Sequence, residues 1–180
     1  MYRFIFLLLL LFFSGNIFGQ EKEVETIKWK AEKLTWEDFK ASPKPAHERQ
    51  VASTQSGITY AWSYAPEGDK INLTYDVFAN FYPKKSWVVP KEKTPELLAH
   101  EQLHFDISEW HARKLLKALK AYEPMRNIRT DLARIYRQIE LERKREQAKY
   151  DRETRHGLNK IAQKEWAEFV AEELELVDAK

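Results

Sequence analysis

The hydrophobic pattern of this chain changes period at Pro90, and that switch limits the fold more than any other feature. Before it, from Ser53 to Val89, the sequence reads as strands. Ile71, Leu73, Tyr75 and Val77 fall on one side of a run ending at Phe81, the alternation of a half-buried strand. Ile58 to Tyr64 is rich in β-branched and aromatic residues, and Pro66-Glu67-Gly68-Asp69 between the two runs has turn chemistry. Together they predict a hairpin. Ser86 to Val89 predicts a short third strand stopped by Pro90. After Pro90 the period is helical. Thr94 can cap, Pro95 suits the first helical position, and Glu96 complements the positive helix end. The first helix should therefore run to about Tyr122 and break at Pro124. A second fits Asn127 to about Asp151, with Ile128, Leu132, Ile135, Tyr136 and Ile139 on one stripe. A third fits Leu158 to Leu176, with Ile161, Trp166, Phe169 and Val170 as core candidates. Strands followed by helices predict an α+β domain with a small antiparallel sheet packed on long helices.

The start of the chain reads differently. Arg3 precedes an unbroken apolar run from Phe4 to Phe13, and Ser14-Gly15-Asn16-Ile17-Phe18-Gly19 follows. This is the order of a secretory signal. The run is about ten residues, too short for a bilayer that needs roughly 20. Residues 1–19 are therefore read as a signal peptide cut near Gly19–Gln20, 20–33 as a flexible N-terminal segment, and 34–176 as a single domain. The rival is an uncleaved anchor, because Ile17 is larger than the usual residue three before a cut. Cleavage predicts an exported protein, periplasmic or extracellular, with no stable membrane span. The chain has no cysteine, which excludes disulfides and thiolate metal sites. Thirty basic residues against 28 acidic ones leave no strong field to attract nucleic acid.

The chemistry lies in His100-Glu101-Gln102-Leu103-His104, inside the first helix. Histidines four apart share one helix face about a turn apart, where both imidazoles can hold one zinc ion. Glu101, beside His100, can reach a water on such an ion without ligating it and act as general base. A catalytic zinc needs a third protein ligand and an open position. His111 lies about 10 Å further along the helix, too far for the same ion. Glu123 falls beyond the helix end. His156 is the better candidate, because a second helix antiparallel to the first returns Tyr150 to His156 toward the motif. As a plain helix-end histidine before the cap residue Gly157, it needs no ligand role.

The run Leu97-Leu98-Ala99 before His100 to His104, with Phe105-Asp106-Ile107 after it, resembles an uncharacterised family of bacterial proteins predicted to be secreted zinc-dependent proteases. So do Ser86-Trp87-Val88, the run Tyr150 to Gly157, Gln163 and Trp166. The resemblance covers Trp36 to about Phe169. It implies a zincin-like fold, a zinc cofactor, ligands His100, His104 and His156, Glu101 as the catalytic base, and a peptide or protein substrate.

Asp151 or Glu153 can orient a ligand histidine, or simply cap a helix. Tyr150 can donate to an oxyanion, or pack as a core aromatic. Asp106 points away from the motif face and reads as structural, and His47 reads as solvated. A strand edge near the site could align an extended peptide. The rival function is a non-catalytic cell-envelope binding protein with a structural or vestigial metal site, marked by a fourth protein ligand closing the coordination.

Overall fold

The structure is a computed structural model that describes residues 24–45, 50–68, 70–124 and 126–178. The signal peptide read over 1–19, and His47, lie outside them. Among the described residues the strands and α-helices follow in order: β1 (Ile27–Lys28), β2 (Ala52–Ser53), β3 (Ser56–Glu67), β4 (Lys70–Phe81), β5 (Trp87–Val88), α1 (Pro95–Lys120), α2 (Ile128–Thr154) and α3 (Lys160–Asp178). Short 3-10 turns lie between some of them. The architecture is α+β, as the period switch at Pro90 requires. No helix among the described residues is long and apolar enough to cross a membrane.

β3 and β4 form the expected hairpin, antiparallel from Ser56↔Phe81 to Glu67↔Lys70. The short strand expected over Ser86 to Val89 is present as β5 and pairs with β2 in a separate two-stranded ribbon. One feature departs from the sequence reading: the segment 20–33, read as flexible, is built into the fold in its described part. β1 pairs with β4, and Trp29 Nε1 donates to Asp106 Oδ1 at 2.7 Å. Lys33 reaches the other Asp106 oxygen at 3.1 Å. A charged composition reads as solvated, but one aromatic donor, Trp29, and one ion pair, Lys33, anchor it on Asp106 here. Asp106 thus works as a structural acceptor, also taking a bond from Gln102.

α1 is the central element. Thr94 Oγ1 accepts from Leu97 N at 3.1 Å, and Pro95 occupies the first turn. Through its middle, from His100 to Ala112, the helix is buried on nearly every side. The sheet covers one side, where Phe105, Leu115 and Leu119 join Ile58, Phe81 and the α2 residues Leu132 and Ile139. α2 and α3 cover the other, where Leu103 and Ile107 meet Tyr150, Trp166 and Val170. Each such side chain contributes about 1.5–3 kcal/mol when fully buried.

α2 runs antiparallel to α1. Asp131 bonds Tyr122, Glu142 bonds Lys114, and Tyr150 bonds the carbonyl of His100. α2 ends in left-handed backbone at Arg155 and His156, followed by Gly157. Asn159 then caps α3 through its contact with Ala162 N at 3.3 Å. α3 returns beside α1 with Trp166, Val170 and Leu174 inward. Ile161 is 74% exposed, because it falls on the opposite face of that stripe. Phe169 sits at its flank, edge-on to Trp110 and Trp166.

Candidate metal centre

The motif residues sit where α1, α2, the turn after α2 and α3 converge. His100 and His104 project from one face of α1, with ring centroids 4.9 Å apart. Asp151, in the last turn of α2, faces both. Its Oδ1 lies 3.3 Å from His100 Nε2 and 3.0 Å from His104 Nε2. One donor atom from each residue falls within 4.8 Å of the other two, a grouping able to hold a metal ion. Ligand atoms about 2.0–2.2 Å from a tetrahedral ion lie about 3.3 Å apart, so these separations, which also suit hydrogen bonds to Asp151, are compatible with a common ion.

His156 stands differently. Its Nδ1 is 3.4 Å from the same Asp151 oxygen, but its side chain is 70% exposed at the rim. The left-handed backbone, with φ of 55°, carries it past the end of α2. The structure brings His100, His104 and Asp151 together and leaves His156 beside them. Gly157 is drawn in instead. A Cβ there would meet His100 Cγ at 3.1 Å, and its φ is +80°. The pair His156-Gly157 thus turns the chain across the His100 ring, whose stacked neighbour is Tyr150 at 4.7 Å.

The outer nitrogens are also held. His100 Nδ1 is 3.0 Å from Gln163 Oε1, and His104 Nδ1 bonds Gln147 Oε1. Gln147 Nε2 in turn donates to the His104 carbonyl at 2.7 Å. Glu101 is buried in the same cleft wall, and its Oε2 has no hydrogen-bond partner among the described residues. The electrostatics match. Burial disfavours a charged His104, yet its bond to Asp151 and the charge of Glu101 raise its pKa overall. Burial pushes the Asp151 carboxyl upward, and the bonds from His100 and His104 reverse that and hold it well below the usual range. Two carboxylates therefore crowd two imidazoles, a pocket that favours a cation.

These groups line an open cleft of about 1190 Å³. Residues 50–56, around β2, form part of its wall. Val51 O accepts from Val89 N, so the backbones of Val51 and Ser53 turn toward β5. By the two-residue alternation, Ala52 and Thr54 present theirs along the other edge. Among the described residues, no strand pairs with that edge.

The other candidates fall away from the cleft. Tyr150 is fully buried, and its hydroxyl contacts Gln163 Oε1 at 2.7 Å and His100 O at 3.1 Å, so it packs and braces. Glu153 accepts from Trp166 Nε1 at 2.9 Å. His111 is buried beyond the motif with Nδ1 on Ile107 O, and Glu123 is exposed past α1. Sequence reasoning gave Asp151 only an orienting role and gave Gln147 none. The available signal was spacing: Gln147 and Asp151 are four apart on α2, as His100 and His104 are on α1.

The family described as "Bacterial protein of unknown function (DUF922)" matches residues 30–157. The match covers most of the chain, so the chain belongs to this family. The matched region holds His100, Glu101, His104, Asp151, His156 and Gly157, and ends just before α3. No curated protein and no solved structure matches the chain.

Proposed function

We propose that this member of the family is an exported zinc-dependent hydrolase that cleaves amide bonds in peptides. His100, His104 and Asp151 are its metal ligands in this reading. One observation carries it: three convergent donor atoms stand in an open cleft whose wall also holds a buried carboxylate oxygen of Glu101 with no hydrogen-bond partner among the described residues. The donor set of two imidazoles and one carboxylate suits zinc and leaves a coordination position free. Zinc in such a site supplies Lewis acidity and makes water acidic enough to attack near neutral pH.

The remaining steps belong to the chain. Glu101 takes a proton from the attacking water and delivers it to the departing amine nitrogen. Its burial keeps the carboxylate poorly solvated and near the reacting atoms. Asp151 balances charge between the imidazoles. His156 flanks Asp151 on the solvent side. The edge of β2 offers N–H and C=O groups from Ala52 and Thr54, to which an extended peptide can pair. That edge favours a peptide over a compact small substrate.

The test joins metal analysis to turnover. Purified wild type should carry about one zinc per chain and cleave members of a mixed peptide library read by mass spectrometry. Glu101→Gln should keep the zinc and lose nearly all cleavage. A folded wild type without zinc, or a Glu101→Gln protein of undiminished turnover, overturns the reading.

A second reading has one observation in its favour. His156 Nδ1 already lies 3.4 Å from Asp151 Oδ1. A small rotation inward would make it a fourth ligand, closing the site as a structural one in a binding protein without turnover.

A further inference from the structure

We infer that Leu97 and Leu158 form an apolar subsite at one end of the cleft, which selects peptides with a bulky apolar residue within two positions of the cleaved bond. The inference rests on the hydrolase reading above and deepens it by naming the substrate class.

The cleft has two chemically different ends. At one, Ser56 Oγ lies 2.8 Å from Ser108 Oγ, and Arg143 Nη1 donates to Ser108 Oγ at 3.3 Å. Lys144 lines the same end, which is polar and basic. The other end lies past His100. Leu97 stands three residues before that histidine, on the same face of α1. Its N–H bond to Thr94 fixes it in the first turn. Leu158 follows Gly157, which lies against the His100 ring. Both leucines line the cleft. Glu92 and Arg155 line this end with opposite charges, which leaves apolar contact to discriminate between substrates.

Leu158 is 75% exposed and belongs to neither apolar core. Its exposure is imposed by the turn that carries it. Leu158 N donates to Arg155 O at 3.3 Å, and Asn159 N donates to Thr154 O at 2.8 Å. Scattered exposed leucines are ordinary on a protein surface. This one is not scattered: it stands at the mouth of a cleft, and Ile161, 74% exposed, follows three residues later.

The wall strand shows how a peptide reaches the leucines. Thr54 Oγ1 donates to the Glu101 carbonyl at 3.2 Å, and Ser56 Oγ donates to the His104 carbonyl at 3.4 Å. The wall therefore advances in the same direction as α1. Two strand residues span about 6.6 Å, close to the roughly 6 Å of four helix residues. Stepping back from Thr54 beside Glu101 puts Ala52 beside Leu97. An extended chain paired along the free edge through Thr54 and Ala52 thus passes the metal centre and, two residues on, the leucines.

The experiment uses the mature wild type, Leu158→Ala, and Leu141→Ala as control, since Leu141 is 51% exposed on α2 and outside the cleft. The probes are alanine-based octapeptides that differ in one central residue: leucine, phenylalanine, serine or lysine. Cleavage rate and position are read by mass spectrometry, and binding by fluorescence anisotropy of the same peptides carrying a dye. Wild type should cleave the leucine and phenylalanine peptides about tenfold better than the serine one, within two positions of the varied residue. Leu158→Ala should erase most of that difference, chiefly through KM, and keep the serine rate and the urea midpoint. Leu141→Ala should match wild type. A wild type indifferent to the central residue, or a Leu158→Ala protein that keeps the preference or slows all peptides alike, overturns the inference and leaves the hydrolase reading standing. A wild type that cleaves none but binds the leucine peptide tightest, with that preference lost in Leu158→Ala, ends the hydrolase reading and keeps the subsite. Neither cleavage nor preferential binding ends both.

Discussion

Gly157→Ala tests how the turn after α2 serves the site. The added Cβ would lie 3.1 Å from His100 Cγ, 3.3 Å from its Cβ and 3.4 Å from Nδ1. The ring cannot retreat freely, because it stacks on Tyr150 and holds Gln163 through Nδ1. The backbone adds a second cost, since φ is +80° and alanine resists that region by about 1–2 kcal/mol. Forcing a methyl into packed surroundings adds about 1–3 kcal/mol. The sum, about 2–5 kcal/mol, should be read by urea unfolding of the zinc-free protein, so that bound metal does not add its own stabilisation. Gly68→Ala is the control. Its φ is +60°, but nothing lies within 4 Å of the new Cβ. It should lose only the backbone share, about 1–2 kcal/mol, and leave zinc affinity alone. In Gly157→Ala, displacing His100 Nε2 should weaken zinc at least tenfold, about 1.4 kcal/mol of binding. Equal stability losses for the two variants, with equal zinc affinity, would refute the argument that Gly157 is shaped by His100.

Three further outcomes are expected. Asp151→Ala should abolish zinc binding measured by metal analysis, while His156→Ala should retain it; the reverse result would make His156 the third ligand. His111 is fully buried, and burial lowers its pKa from 6.5 to about 4. The unfolded chain therefore takes up this proton first, and stability falls as pH drops from about 6.5 toward 4. The His111 share of that loss is about 2 kcal/mol at pH 5, and His111→Leu should remove it from the pH dependence of urea midpoints. Trp29→Phe removes the donor to Asp106 Oδ1, a carboxylate only 7% exposed, and should cost about 1–3 kcal/mol in thermal or urea unfolding. No loss there would mean that the segment around β1 adds little to the domain.

The sequence showed most where local periodicity decides structure. The hairpin, the three helices and the facing of His100 and His104 all follow from spacings of two or four residues. It showed less where a segment is held from afar. Trp29 and Lys33 are anchored by Asp106, more than 70 residues away, and no local pattern in 20–33 carries that information. The ribbon of β2 and β5 is legible only as two apolar snippets, because a two-residue strand has too few positions for alternation to register. Ile161 belongs to an apolar set in composition, but the side α3 buries is set by Tyr150 and Leu103, not by its own hydrophobicity.

The third residue facing the two histidines marks the limit most sharply. His156 and Asp151 are five apart, and both reach the site once α2 is placed antiparallel to α1. Which of them faces the histidines depends on where α2 stops. Helical backbone continues to Thr154, so Asp151 still projects on the same face as Gln147, toward α1. Arg155 and His156 then turn left-handed, which carries the His156 side chain out to the rim and swings Gly157 in against His100. Had the helix run one turn further, residue 155 would have extended the Gln147–Asp151 face, and the His100 ring would have lost the glycine that lies against it. The left-handed turn gives Asp151 the inner position, and it explains why a glycine follows the histidine.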